Sequence, residues 1–339
     1  MTSKPQARPN PGLFLETLNA YQRTSALKAA IELDVFTAIG EGADTPAALA
    51  RRCRATERGV RILCDYLAII GFLVKTDGRY ALTLDSSVYL DRRSRHCLAS
   101  AAGFLTLPET VSAFTHLATA IREGHAALPG EGSVSRENPI WVEFARSMAP
   151  LQHSPAGEIA EILDARAGKK WKALDIAAGH GVFGITLAQE NPHAEIHAQD
   201  WRPVLEVAME NARAAGVAER VHLLPGDAFE VDFGTGYDVI LITNFLHHYD
   251  PPTNERLLRK VCAALAPTGT VVTLDFVPNE DRVTPPGAAE FSMMMLGMTP
   301  AGDVYTFAEY QRMFQNAGFS SNEHRRLRHG DHSVILSRK

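Results

Sequence analysis

Residues Ala173-Leu-Asp-Ile-Ala-Ala-Gly-His-Gly181 decide the fold. The first four read as a buried strand, and the small residues after them make a turn carrying Gly179 and Gly181. A helical pattern from Val182 to Gln189 follows at once. A strand that breaks at a glycine turn and enters a helix brings bare backbone N–H groups up against a ligand. A second strand, Ala194-Glu-Ile-His-Ala-Gln-Asp200, ends in an acid about 19 residues beyond Gly181. A carboxylate at that strand tip is placed to accept both hydroxyls of a ribose. These residues predict a site for an adenosine-containing cofactor.

The glycines alone do not choose the cofactor. Gly179-His-Gly-Val-Phe-Gly184 satisfies the G-x-G-x-x-G spacing of dinucleotide folds. Asp175 inside the strand argues otherwise, because an acid there suits a cationic ligand and would repel a pyrophosphate. Further along, Val221-His-Leu-Leu-Pro reads as a third strand ending at Gly226-Asp227, and Tyr237 to Thr243 is a largely apolar run of strand type. A helix from Asn254 to Leu265 and a strand from Val271 to Phe276 follow. Alternating strands and helices make a doubly wound, Rossmann-like α/β sheet the economical fold.

The pattern hydrophobic-Asp-Ile-small-small-Gly-x-Gly resembles the first motif of the class I S-adenosylmethionine (SAM) methyltransferases, usually Leu-Asp-Val-Gly-Gly-Gly-x-Gly. The Gly226-Asp227 pair and the Phe245-Leu-His-His-Tyr249 segment extend the resemblance, in chain order, to the plant-type and bacterial small-molecule O-methyltransferases. It implies SAM as cofactor and S-adenosylhomocysteine as product. It also implies that Asp175, Ala177, Gly179, Gly181, Asp200 and Trp201 line the cofactor site, joined by Asp227, Ala228, Phe229 and Asn244. Asp200 would hold the ribose, and Asp227 would face the adenine amino group.

In that family the segment after the fourth strand typically reads Leu-His-Asp-Trp, and its His is the general base. The match puts His247 on the base, with His248 replacing Asp and Tyr249 replacing Trp. The chemistry asks for such a group, since a phenol of pKa about 10 must lose its proton as its oxygen attacks. An imidazole with an ordinary pKa of about 6.5 is mostly neutral near neutrality and can take it. Asp275, at the end of the fifth strand, would fix the imidazole's tautomer. A second orienting acid is usual in a Gly-x-Glu-Arg-Thr segment. The matching stretch here is Gly302-Asp-Val-Tyr-Thr306, so that acid is replaced by Val304 or has moved to Asp303. The resemblance places Phe144, Met148, His248, Met293 and Met294 at the acceptor, and adaptable methionines suit a flat aromatic molecule.

Before residue 105 the texture changes. Leu13 to Ile39 carries apolar residues at helical spacing, Thr45 reads as an N-cap for a helix through Arg52, and another helix runs from Glu57 to Ile70. Phe72 to Leu84 reads as a hairpin turning at Asp77-Gly78. Three helices and a hairpin make a winged helix. The segment Glu57–Ile70 offers Arg58 and Arg61 as its cations and is otherwise apolar almost all round, a poor groove reader. It suits burial against another subunit, and resembles the N-terminal dimerisation domain of the same family. The expected divisions are residues 1–105 for this domain, 106–165 for a helical linker contributing to the acceptor pocket, and 166–339 for the cofactor-binding domain.

Composition narrows the classes. The 339 residues carry a net charge of −5, which offers no general attraction to nucleic acid or anionic membrane. Cys53, Cys64, Cys97 and Cys262 form no C-x-x-C pair, so neither a disulfide framework nor a thiolate zinc site is expected. The thirteen histidines are scattered, and no metal is expected. The N-terminus has no apolar core of a signal peptide, which predicts a cytoplasmic protein. Three rival functions stay open: a non-methylating relative that keeps SAM, N- or C-methylation, and a SAM-responsive DNA-binding regulator. The favoured expectation is an O-methyltransferase acting on a small aromatic or polyketide-like hydroxyl compound, built as a homodimer.

Overall fold

The computed structural model describes residues 9–128 and 130–339. The chain divides into two compact units, one ending at Ala102 and one running from Gly103 to Lys339. Residues 106–165 fall inside the second unit.

The first unit is helical with a small hairpin. The apolar stretch from Leu13 to Ile39 forms three helices, Gly12–Leu18, Ala20–Glu32 and Val35–Gly40, rather than one. The chain turns at Asp34, whose φ of 58° no helix tolerates. Thr45 and Thr56 cap the next helices, Pro46–Arg52 and Glu57–Ile69, by accepting from Ala48 N–H and Gly59 N–H. Strands β1 (Leu73–Thr76) and β2 (Arg79–Leu82) pair antiparallel across Asp77 and Gly78. Both turn residues have positive φ, as a two-residue primed hairpin turn demands. Phe36, Leu49, Cys64, Leu67 and Tyr80 fill the core. Leu13, Phe14, Leu18, Tyr21, Ile69 and Leu84 stand exposed on the single chain.

The second unit is built on a seven-stranded sheet. Its strands are β3 (Trp171–Ile176), β4 (Ala194–Asp200), β5 (Val221–Pro225), β6 (Tyr237–Thr243), β7 (Leu265–Phe276), β8 (Ser321–Arg326) and β9 (His332–Arg338). Their spatial order is β5-β4-β3-β6-β7-β9-β8. Strands β3 to β7 are parallel, and β9 runs antiparallel between β7 and β8, so the doubly wound sheet is closed on one side by a hairpin the sequence pattern did not announce. β8 reads Ser-Asn-Glu-His-Arg-Arg and is mostly exposed, so it lacks the apolar rhythm that betrays a strand. β3 and β6 are buried on both faces, which accounts for their near-continuous apolar runs. Strand order reverses between β3 and β6, so the crevice for a ligand lies at their C-terminal ends.

Local chemistry shapes that crevice. The turn after β3 has Ala177, Gly179 and Gly181 at φ of 51°, 57° and 74° before the helix Val182–Glu190 begins. Gly184 is needed for packing, since a Cβ there would stand 2.6 Å from Ile196 Cγ2. Among the described residues, no helix is long and apolar enough to cross a membrane.

Candidate active site

The ends of β3, β4 and β5 carry three carboxylates, each held by backbone N–H groups. Asp175 accepts from Gly184 N–H at 3.0 Å on Oδ2, while its buried Oδ1 has no partner. Burial pushes its pKa up to about 7, against the pull of the Gly184 N–H. Asp200 accepts from Gly179 N–H at 2.8 Å and from Trp201 N–H at 2.7 Å, and burial raises it to about 6. Asp227 accepts from Phe229 N–H at 2.8 Å. The buried Gln199 ties two of these loops together, accepting from Ala177 N–H at 3.2 Å and donating to the Gly226 carbonyl at 2.6 Å. Ala228 is buried, and its carbonyl receives the Lys260 ammonium at 2.9 Å.

Beyond β6 and β7 lies an imidazole–carboxylate pair. His247 Nδ1 sits 2.6 Å from Asp275 Oδ1, with side-chain exposures of 3% and 0%. Phe276 N–H donates to the same oxygen at 2.9 Å, and the Tyr310 hydroxyl donates to Oδ2 at 2.8 Å. Burial and the neighbouring Asp275 hold the Tyr310 phenol well above its ordinary pKa, so it keeps its proton and stays a donor. The carboxylate thus serves as acceptor throughout, Nδ1 carries the imidazole proton, and Nε2 is left as the ring's lone pair. Asn244, at φ 51°, meets His332 from β9 at 2.9 Å. Phe291 walls His247 edge-on at 5.0 Å and stacks on Phe276 at 4.1 Å.

Aromatic rings connect these two groups. Phe144 stacks on His180 of the glycine turn at 5.8 Å and meets Trp141 edge-on at 5.7 Å. Trp141 in turn meets His248 at 5.1 Å. Phe229, Phe245 and Tyr249 pack together with centroids 4.9 to 6.3 Å apart. Burial and the adjacent His247 lower the His248 pKa well below its usual value, so its ring is neutral, and its buried Nδ1 has no partner. Met148 ends the helix Ile140–Ser147 that carries Trp141 and Phe144. Met293 is 46% exposed on the helix Phe291–Met298, and Met294 is partly buried; from that helix it is Phe291 that meets His247.

The sequence reading missed Tyr310, Gln199 and His332, whose partners Asp275, Ala177 and Asn244 lie far away along the chain. It also raised Asp303 as a substitute orienter. The Asp303 carboxylate instead accepts from Ser292 Oγ at 2.6 Å and Val304 N–H at 2.8 Å, with Arg282 at 3.4 Å. Val304 itself is buried. Among the described residues, no three His, Cys, Asp or Glu side chains are grouped to hold a metal ion.

The parallel sheet with its glycine turn, acid-tipped second strand and antiparallel closing hairpin is the fold of the class I methyltransferases. The particular family follows from the chain itself. Residues 136–320 match the O-methyltransferase domain, residues 15–92 match the O-methyltransferase dimerisation domain, and the chain belongs to that family of enzymes. It is 50% identical to a candidate O-methyltransferase of Nostoc punctiforme PCC 73102 whose crystal structure superposes with a TM-score of 0.94, covering 98% of this chain and 100% of that one. It is 27% identical to the 3-hydroxy-5-methyl-1-naphthoate 3-O-methyltransferase of Streptomyces sahachiroi, over 91% of this chain and 90% of the relative. Human N-acetylserotonin methyltransferase, solved in complex with SAM, shares the fold at a TM-score of 0.86 and 22% identity, over 99% of each chain.

Proposed function

We propose that this enzyme transfers a methyl group from SAM to a hydroxyl of a small aromatic or polyketide-like metabolite, with His247 as general base and Asp275 as its orienter. The observation that carries this reading is the buried His247–Asp275 contact, which fixes the proton on Nδ1 and leaves Nε2 free to accept. The residues at the ends of β3 to β5 fit the cofactor. Asp175 keeps one unpartnered buried oxygen, suited to an ammonium, and the turn through Gly179 and Gly181 holds both glycines at the positive φ that only glycine adopts freely. Asp175, Ala177, Gly179 and Gly181 would hold the amino-acid end, Asp200 and Trp201 the ribose, and Asp227, Ala228 and Phe229 the adenine. Asn244 would close the site beside β6.

When bound, SAM supplies an electrophilic sulfonium methyl and leaves as S-adenosylhomocysteine. The chain's own residues do the rest. His247 Nε2 takes the proton from the acceptor hydroxyl as the oxygen forms its bond to carbon, and Asp275 stabilises the imidazolium that results. Phe144, Met148 and His248, with Met293 and Met294, would line the acceptor. The aromatic rings of Trp141, Phe144 and Phe291 favour a flat substrate. The relative that methylates a naphthoate hydroxyl supports the same substrate class. Residues 15–92 would pair two copies into a homodimer, with no nucleic acid or membrane partner, in the cytoplasm.

The test is label transfer from methyl-labelled SAM to a panel of hydroxynaphthoates, catechols, flavonoids and polyketide quinones. Wild type should label an oxygen. His247→Ala should lose turnover by about 10²- to 10⁴-fold while SAM affinity, read by calorimetry, changes little. Full turnover in that variant would remove His247 from the mechanism.

A further inference from the structure

We propose that Tyr310 is a positioning residue for His247, acting through Asp275. The inference rests on the reading of His247 as the base. It starts from the departure at position 304, where the family resemblance puts a second acid and this chain buries a valine. Asp303 does not compensate, since its carboxylate is engaged by Ser292 and Arg282. Asp275 is therefore the carboxylate that orients His247, and its own orientation has to come from somewhere.

Three donors fix it. His247 Nδ1 and Phe276 N–H meet Oδ1, while the Tyr310 hydroxyl meets Oδ2 at 2.8 Å. Rotation of the carboxylate about its Cβ–Cγ bond would break all of these at once. Tyr310 is itself 0% exposed, so no water can take its place without a rearrangement of the core. Its helix, Phe307–Asn316, is started by a capping box in which Thr306 and Glu309 satisfy each other's backbone N–H groups.

The same segment grips the His247 loop at two more points. The Tyr305 hydroxyl donates to the Tyr249 carbonyl at 2.6 Å. Gly302 packs so closely that a Cβ there would collide with the His247 carbonyl oxygen. The stretch 302–310 thus supplies by hydroxyl and backbone contact what the missing acid would have supplied by charge. Other titratable groups face the pair: His248 beside His247, His332 from β9, and Tyr305. None of them hydrogen-bonds Asp275.

A hydroxyl that donates to a carboxylate weakens that carboxylate as an acceptor for its other partner. The sign of the test follows. In Tyr310→Phe, Asp275 should bind the His247 Nδ1 proton more strongly, moving its low-field proton NMR resonance downfield in the ligand-free protein. That resonance is assigned by its loss in His247→Ala. With 3-fluorotyrosine placed at position 310, the shape and hydrogen bond are kept while the donor is strengthened, and the resonance should move upfield.

Opposite shifts in the two variants establish the positioning role, because a residue that merely fills the core would move neither with opposite sign. An unmoved resonance in the fluorotyrosine protein, which needs no refolding of the core, overturns the proposal even if Tyr310→Phe fails to fold. Label transfer retained in His247→Ala would sink the base reading separately, leaving the resonance shifts as a statement about Asp275 alone.

Discussion

The two sides of the sheet's crevice hold their functional groups by different means. At the ends of β3 to β5, Asp175, Asp200 and Asp227 are fixed by backbone N–H groups within ten residues of each or in the adjoining turn. At the ends of β6 and β7, His247 and Asp275 are fixed by each other and by Tyr310 from a distant segment, besides the adjacent Phe276 N–H. The first arrangement is written into local sequence, because a turn and a helix start generate it wherever they occur. The second depends on the order in which strands and helices pack. It follows that the proposed cofactor side should tolerate change in distant segments, while the side of the proposed base should not.

Asp275→Asn gives the largest expected break in this comparison. The amide cannot serve both as acceptor for His247 and as acceptor for Tyr310, so the imidazole loses its fixed tautomer. We expect turnover to fall by about 10²-fold or more with SAM affinity little altered. A parallel loss of SAM binding would show that the two sides are not independent.

Asp200→Ala tests the other side. It frees Gly179 N–H and Trp201 N–H, and removes the oxygens offered to a ribose. Titration calorimetry should show SAM binding weakened by about 1–3 kcal/mol. Unchanged affinity would contradict the placement of the cofactor.

The smallest effect is one of pH. Burial raises Asp175 to about 7 and Asp200 to about 6. A carboxyl whose folded pKa lies above its unfolded value contributes stability that is fully present below the unfolded value, about 4, and lost as pH rises through 6 to 7. The melting temperature of the ligand-free protein should therefore fall across that window, and fall less in Asp175→Asn. Identical slopes would mean that the carboxyl is not desolvated as described.

The same contrast explains what could be read from the chain. β4 runs from Ala194 to Asp200 and β6 from Tyr237 to Thr243, as the apolar patterns predict, because each is a buried parallel strand with its own signal. The helix Pro251–Ala264 starts earlier than its pattern suggests, since Asp250 caps it and two prolines open its first turn. β8 escaped because its residues are polar and its pairing is supplied by β9. At the site, His247 and Asp275 were legible through resemblance, and the structure brings them within 2.6 Å. Tyr310 was not legible. A tyrosine in an amphipathic helix reads as core, and only the tertiary contact reveals its hydroxyl's partner.

The position of β9 sets a timetable for synthesis. Among the described residues it follows β8 in the chain, yet it lies between β7 and β8, directly against the strand that carries Asp275. The strands and turns of the cofactor side, β3 to β5, have all left the ribosome about 100 residues earlier, and can begin to pair during elongation. β7 meanwhile presents a bare edge, rich in Val and Thr, until residues 332–338 emerge. A nascent chain stalled in that interval would hold the proposed cofactor site beside an unpaired strand edge. Until β9 docks, the β7 edge is open to pairing with another chain.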